Sequence, residues 1–379
     1  MNKKRQHLST LLSTATLAMS LLAVEQTLAE EPQNPATAME LPDLEVVGTT
    51  PLPGTGLPIE KYAGNVPTIS AEEIEEQNPV DLSEMLFRNI GSVDINSAQN
   101  NPYQNDVHYR GFLASPLVGS AIGISAFVDG VRINEGFGDT VNWDLIPEFA
   151  ISNVSLIPGS NPLFGLNTLG GALSMQTKNG FNFEGTNLDF SLGEDGRRSI
   201  TLEHGGNSGN FDWYVGGDMF KDDGWRQRSP SDVQRLFAKV GWENDRTDFD
   251  LSYTYADNDL IGNGFVPESH LTVDRAAVYT FPDQTENRMH FTNLRASHWL
   301  TDSLLMAGNV FYRDFERKTF NGDVEIACVN NANEIPLFIA VDPTEDPTDP
   351  NTDLRQVHNA NCNNDNLTNA VIGYLPYAF

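Results

Sequence analysis

Seven histidines, two cysteines and 52 acidic side chains are the residues of this 379-residue chain best suited to hold a metal, activate a nucleophile or form a disulfide. The histidines stand at 7, 108, 204, 270, 290, 298 and 358. No two have the spacing that would aim paired imidazoles at one zinc ion, so no metal site is expected. The serines lack a G-x-S-x-G elbow and a recognisable triad, so no catalytic residues are expected and the chain reads as a non-enzyme. Residues Gly165 to Gly171 (GLNTLGG) lack the Lys-Ser/Thr that completes a phosphate loop, which leaves tight turns in a packed core as their role and no nucleotide cofactor. In the acidic run 342–353, Asp342, Glu345, Asp346, Asp349 and Asp353 could offer oxygens to calcium. The run lacks the Gly and terminal Glu of an EF-hand loop and reads better as a solvated loop. Cys328 and Cys362 share a polar segment, and an oxidising compartment would let them pair as a disulfide.

Charge and composition narrow the class further. With 23 Lys+Arg against 52 Asp+Glu, the net charge of −29 excludes a nucleic-acid partner, because phosphate binding needs clustered cations. Beyond the first thirty residues no run of about 18 apolar residues exists, which excludes helical membrane spans but not a β-barrel, whose signal is alternation. The 31 Gly, 21 Phe, 10 Tyr and 5 Trp suit short strands joined by polar turns. Lys3, Lys4 and Arg5 precede an apolar run over 8–24, and Thr27-Leu28-Ala29 supplies a small-residue cleavage site. Residues 1–29 therefore read as a secretory signal peptide, with the mature chain starting near Glu30.

Four divisions follow: the leader 1–29, a flexible arm 30–60, a small mixed α/β domain 61–180, and a strand-rich segment 181–379. The arm holds Pro32, Pro35, Pro42, Pro51, Pro53 and Pro58. Within it, residues 43–49 (DLEVVGT) are β-prone and bounded by proline. Asp43, Leu44, Glu45, Val46 and Val47 could add a strand to a partner's sheet edge through main-chain hydrogen bonds. In the α/β domain, Ser70 with Glu73 forms a capping box for a helix over 71–77, and Asp81 caps a second helical turn carrying Leu82, Met85 and Leu86. Strands are expected at 93–96, 106–112, 125–134, 154–159 and 172–178. Asp129-Gly130 marks a hairpin turn within the third of these.

The ordered motifs DLEVV, ISAEEI…NPVDLSEML, VHYRGF, FVDGVRIN and IPEFAISNVSLIPGSNPLFGLNTLGGALSMQTK resemble those of TonB-dependent outer-membrane receptors, over residues 43–178. The resemblance implies a plug domain inside a 22-stranded barrel. Arg110, Gly111, Asp129, Gly130, Gly159, Gly165, Gly170 and Gly171 are its plug-motif positions, and Asp43 to Val47 its TonB box. Where many members carry Arg-Gly-Pro, this chain has Pro158, Gly159 and Ser160, so one plug-to-barrel ion pair of the family is not expected here.

Alternation independently supports barrel strands after Lys178. Outward rows are expected at Leu188, Phe190, Leu192; Ile200, Leu202; Phe211, Trp213, Val215; Leu236, Ala238, Val240, Trp242; Phe249, Leu251, Tyr253, Tyr255; Thr292, Leu294, Ala296; and Met306, Gly308, Val310, Tyr312. Asp189, Asp212, Asp218, Lys239, Asp250, Arg295 and Asn309 lie between them. A soluble sandwich would alternate in the same way. Connection lengths decide for a barrel, because links after the second, fourth and sixth strands are tight and those after the third, fifth and seventh are long. A barrel of eight strands has no room for a plug, so about seven of an expected 22 strands are present. The segment GYLPYAF, interrupted by Pro376, is not expected to close it.

The expected function is active import of a scarce nutrient, most often a ferric siderophore in this family, through the outer membrane and powered by TonB. The partners implied are TonB with its inner-membrane complex, outer-membrane lipid and a small nutrient or metal complex. A signalling transducer would carry a further folded domain before the box, and only residues 30–42 lie there. A passive porin or a barrel-anchored adhesin is the alternative, although neither has a use for a plug or the box.

Overall fold

The computed structural model describes residues 64–324 except 78, 98, 267 and 280–282, together with strand pieces at 46–47, 57–58, 336–340, 354–358 and 374–378. The leader, Asp43, Leu44, Glu45, Cys328, Cys362 and the acidic run 342–353 lie outside the described residues. In the arm, β1 (Val46–Val47) pairs antiparallel with β2 (Leu57–Pro58), so the segment expected to offer a free backbone edge already has a local partner.

Local capping sets the first helices. After β3 (Thr68–Ser70), the Ser70 N–H donates to Glu73 Oε2 at 2.9 Å and the Glu73 N–H donates to Ser70 Oγ at 3.3 Å, opening α1 (Ala71–Gln77). Asp81 Oδ1 accepts from the Glu84 N–H at 3.0 Å and opens α2 (Leu82–Asn89). One face of α2 buries Leu82, Met85 and Leu86.

Next, β4 (Val93–Asn96), β5 (Asp106–Tyr109) and β6 (Phe112–Ala114) form an antiparallel sheet. The single strand expected over 106–112 is instead a hairpin. The chain reverses at Arg110 and Gly111, with φ of 51° and 86°, and positive φ at both central residues matches strand twist in a two-residue turn. The strands β7 (Ile124–Val128), β8 (Val131–Arg132), β9 (Ile151–Pro158) and β10 (Gly171–Thr177) join β3 in a sheet ordered β3-β9-β10-β7-β8. β10 runs parallel to β7 and antiparallel to β9. Packed against this sheet, the helices enclose a core that includes Ile69, Ile74, Met85, Ile124, Val154 and Leu173. Trp143, 1% exposed, fills its centre and donates Nε1–H to the Asn105 carbonyl at 2.8 Å.

From residue 185 the chain becomes long antiparallel strands: β11 (Gly185–Leu192), β12 (Arg198–Ser208), β13 (Phe211–Asp222), β14 (Ser231–Glu243), β15 (Thr247–Gly262), β16 (Asp283–Thr301) and β17 (Leu304–Val324). The pieces β18 (Pro336–Ala340) and β19 (Leu354–His358) pair with each other. β20 (Tyr374–Ala378) adds an eighth strand beside β17, giving the order β11-β12-β13-β14-β15-β16-β17-β20. Against expectation, the Pro376 segment is thus a strand. It lies at the sheet edge, where a missing N–H need not break a ladder on both sides.

Register aligns the outward rows across this sheet. Trp213, Val240, Leu251, Leu294 and Val310 stand opposite one another in successive pairs. Phe211, Trp242 and Phe249 align at one margin of this apolar band, near the tight turns, and Tyr253, Thr292 and Tyr312 align toward the other. Aromatic margins around an apolar band are the signature of a lipid-facing barrel surface. The opposite face is covered and mixes buried charges, Asp212, Asp218, Lys239 and Asp250, with apolar side chains such as Tyr214, Phe237, Val233, Leu260 and Phe291 that cluster with the α/β domain.

Candidate functional site

What covers that face is the α/β domain, and the seam between them is built from side chains that alternation points inward. Asp129 sits at the tip of the β7–β8 hairpin with φ of 45°, followed by Gly130 at 84°. The Asp129 carboxylate accepts from the Thr177 N–H at 3.0 Å and from Thr177 Oγ1–H at 2.5 Å, and Lys239 Nζ lies 3.3 Å away. Its backbone carbonyl accepts from Asn309 Nδ2–H at 2.7 Å and Asn293 Nδ2–H at 3.4 Å. Burial works against its charge, but Lys239, Thr177 and Arg295 together hold the carboxyl below its ordinary range. Asp129 therefore ties β10 of one domain to three strands of the other.

Further polar ties flank it. Lys178, 3% exposed, donates to Glu203 at 2.8 Å and to Glu75 at 2.7 Å, while Tyr214 Oη–H donates to Glu203 at 2.6 Å. Arg313 forks onto Glu135 at 2.7 and 3.1 Å. Arg235 reaches Asp218 on the strands and Glu148 in the α/β domain. Asp144 has no cation in direct contact and accepts instead from Asn258 and Asn287 side-chain amides, each at 2.9 Å. Burial lifts the Asp144 carboxyl above its usual range, partly opposed by those amides.

Where the long loops meet the α/β domain, the seam changes character. The Asn101 amide donates to Ser231 Oγ at 2.7 Å and to the Ile261 carbonyl at 3.1 Å, and Trp225 Nε1–H donates to Asn100 Oδ1 at 3.1 Å. The Asn263 N–H donates to the Gln99 carbonyl at 2.6 Å. The Arg226 guanidinium lies 4.9 Å from the Trp225 ring centre. Among the described residues, buried side-chain atoms without a hydrogen-bond partner occur elsewhere along the seam at Glu148, Asp212, Asn287 and Asn309, and here include Asn100 Nδ2, Gln104 Oε1, Arg226 Nε and both polar atoms of Asn263. These donors and acceptors can engage a polar ligand entering between the loops.

The plug-motif positions spread over the α/β domain rather than forming one centre. Arg110 is exposed and stacks at 5.0 Å from the Tyr109 ring centre. Gly159 and Gly165 occupy turns after β9 and before β10, at φ of 94° and 90°. Gly170 and Gly171 allow close packing: a Cβ would lie 2.4 Å from Phe112 at the former and 2.6 Å from the Ile157 carbonyl oxygen at the latter. Only Asp129, with Gly130 beside it, reaches the seam. Lys178, Glu148, Asp144, Glu135 and the apical amides were not singled out from sequence. The inward charges Asp218, Lys239 and Arg295 were the available signal.

A small mixed domain seated against the inward face of a long antiparallel sheet is the fold this chain shares with solved receptors. Residues 58–172 match the TonB-dependent Receptor Plug Domain family. Over 135 residues it is 31% identical to the ferric aerobactin receptor of Klebsiella pneumoniae, covering 34% of this chain and 17% of that protein. The fold matches the siderophore receptor PiuA of Acinetobacter baumannii with a TM-score of 0.59 and 19% identity, over 74% of this chain and 40% of PiuA. It also matches the closed form of the ferric-catecholate import receptor Fiu of E. coli K12, with a TM-score of 0.60 and 15% identity, over 84% of this chain and 44% of Fiu. The chain thus spans less than half the length of these relatives.

Proposed function

We propose that this chain belongs to an outer-membrane receptor that binds a scarce nutrient, a ferric siderophore or similar complex, and imports it actively. The observation that carries the reading is the seam: a plug held to the inner barrel wall by buried ion pairs and amides has a use in gated entry and none in passive diffusion. Its support for cargo is the iron complex in the relatives' names and the set of unpartnered polar atoms around Asn100, Gln104, Arg226 and Asn263. Residues 1–29 act as the export signal. The arm, residues 30–60, presents Asp43 to Val47 to TonB, which takes the segment as an added strand and pulls on the plug. Because β1 is paired with β2, that strand must exchange one partner for another.

The test uses proline in the full-length receptor. Main-chain pairing tolerates Val46→Ala but not Val46→Pro or Leu44→Pro, which remove a donor and restrict the neighbouring backbone. Labelled iron complex should bind cells carrying either proline variant as it binds wild type, while energy-dependent accumulation is lost. Unchanged accumulation with both prolines would refute the coupling role.

A further inference from the structure

Arg235 closes the middle of the seam and leaves one charge over. Its side chain is 0% exposed and is satisfied at every prong. It donates Nη1–H to the Ile146 carbonyl at 2.7 Å, Nε–H and Nη2–H to the two oxygens of Asp218 at 3.0 and 2.6 Å, and Nη2–H to Glu148 Oε1 at 2.7 Å. Asp218 on β13 and Glu148 in the plug are themselves 6% and 14% exposed. One guanidinium therefore faces two carboxylates, one from each side of the seam. The Tyr103 ring covers the group, with its centre 5.5 Å from the guanidinium carbon.

A guanidinium keeps its proton at any pH a cell meets, so the cluster is neutral with one carboxylate protonated and carries one buried negative charge with both ionised. Two carboxylates sharing one buried cation resist ionising together. Both Asp218 oxygens accept hydrogen bonds from the guanidinium, whereas Glu148 accepts through Oε1 alone, its Oε2 lying 2.5 Å from Nη1 without hydrogen-bond geometry. The proton therefore belongs to the plug side.

We propose that Glu148 is a proton-binding site that sets how tightly the plug is docked on the barrel wall, docked when neutral and loosened when ionised.

Burial, opposed by Arg235 and reinforced by Asp218, pushes the Glu148 carboxyl from 4.5 up to about 7. Other titratable groups around the cluster include Tyr103, whose phenol burial keeps protonated, Asp81, whose carboxyl burial lifts to about 6, and Asp144, whose carboxyl burial also raises and Arg235 partly opposes. Between the ordinary glutamate value and about 7, the docked plug binds a proton that the undocked chain releases. Docking is therefore strongest on the acid side and weakens as pH rises through that window. The inference rests on the plug-and-wall fold and not on the identity of the cargo.

The experiment follows thermal unfolding of the full-length receptor in detergent at about pH 6 and about pH 8, with infrared detection of protonated carboxyl groups. Wild type should lose a few degrees of Tm between the two. Glu148→Gln, fixed in the neutral form, should lose this slope and, at the acid pH, the carboxyl band that wild type shows. Asp218→Asn leaves one carboxylate for one guanidinium, so it should also abolish the slope and the band, and it supplies the test if Glu148→Gln fails to fold. A wild-type slope retained in Asp218→Asn, or a carboxyl band unchanged by Glu148→Gln, would overturn the proposal.

Discussion

The two ends of the seam hold the plug by different chemistry. Toward the tight turns, buried charges are matched across the seam: Lys178 with Glu203 and Lys239 with Asp129. Toward the long loops the ties are mainly through amides, with Asn258 and Asn287 on Asp144, Asn101 on Ser231, and Arg317 on the Pro116 carbonyl and the Asn142 amide oxygen, none of them a cation matched directly to a carboxylate. Removing one member of a buried ion pair strands a charge, whereas an amide can trade a protein partner for water or ligand at small net change. The charged end is built to stay together. The amide end is able to exchange partners.

Three substitutions test this contrast. The largest effect is expected for Lys178→Met, which leaves Glu203 buried beside Tyr214 without its cation and should cost the full-length receptor about 3–5 kcal/mol, read by chemical denaturation. Asn258→Ala removes one of the two amides on Asp144 and should cost about 1–3 kcal/mol in the same measurement. A cost equal to that of Lys178→Met would erase the distinction between the two ends. Arg88→Ala sharpens the comparison from the other side, since its pair with Glu84 is an exposed i,i+4 contact at 2.5 Å. A loss of at most about 0.5 kcal/mol is expected there. A larger loss would mean that charge count, rather than burial, sets these energies.

Much of the architecture was legible because it is local. Ser70, Glu73 and Asp81 announce helix starts through spacings of three residues, and the hairpin at Asp129-Gly130 is marked by its own dipeptide. Period-two alternation located seven long strands, since each residue's face depends only on its neighbours. The hairpin at Arg110-Gly111 was hidden inside a continuous β-prone run, where arginine is an unusual carrier of positive φ. The partners of inward charges were illegible for another reason. Asp144 meets Asn287 across 143 positions and Arg313 meets Glu135 across 178, and alternation fixes which face a side chain takes but not what stands opposite.

β17 has 21 residues, whereas crossing a bilayer takes about 9–11 in a tilted strand. Beyond Tyr312 its outward positions turn to Asp314, Glu316 and Lys318, and a hollow of about 400 Å³ on the same face is lined by Asp257, Asp259, Glu286 and Arg288 among others. From Tyr312 to Val324 the strand runs on for roughly 40 Å at about 3.3 Å per residue. The acyl layer thus ends well below the rim, and the loops are mounted on a rigid shaft above it. The height of the loops above the apolar band is thereby set by the paired strands themselves rather than by the loops.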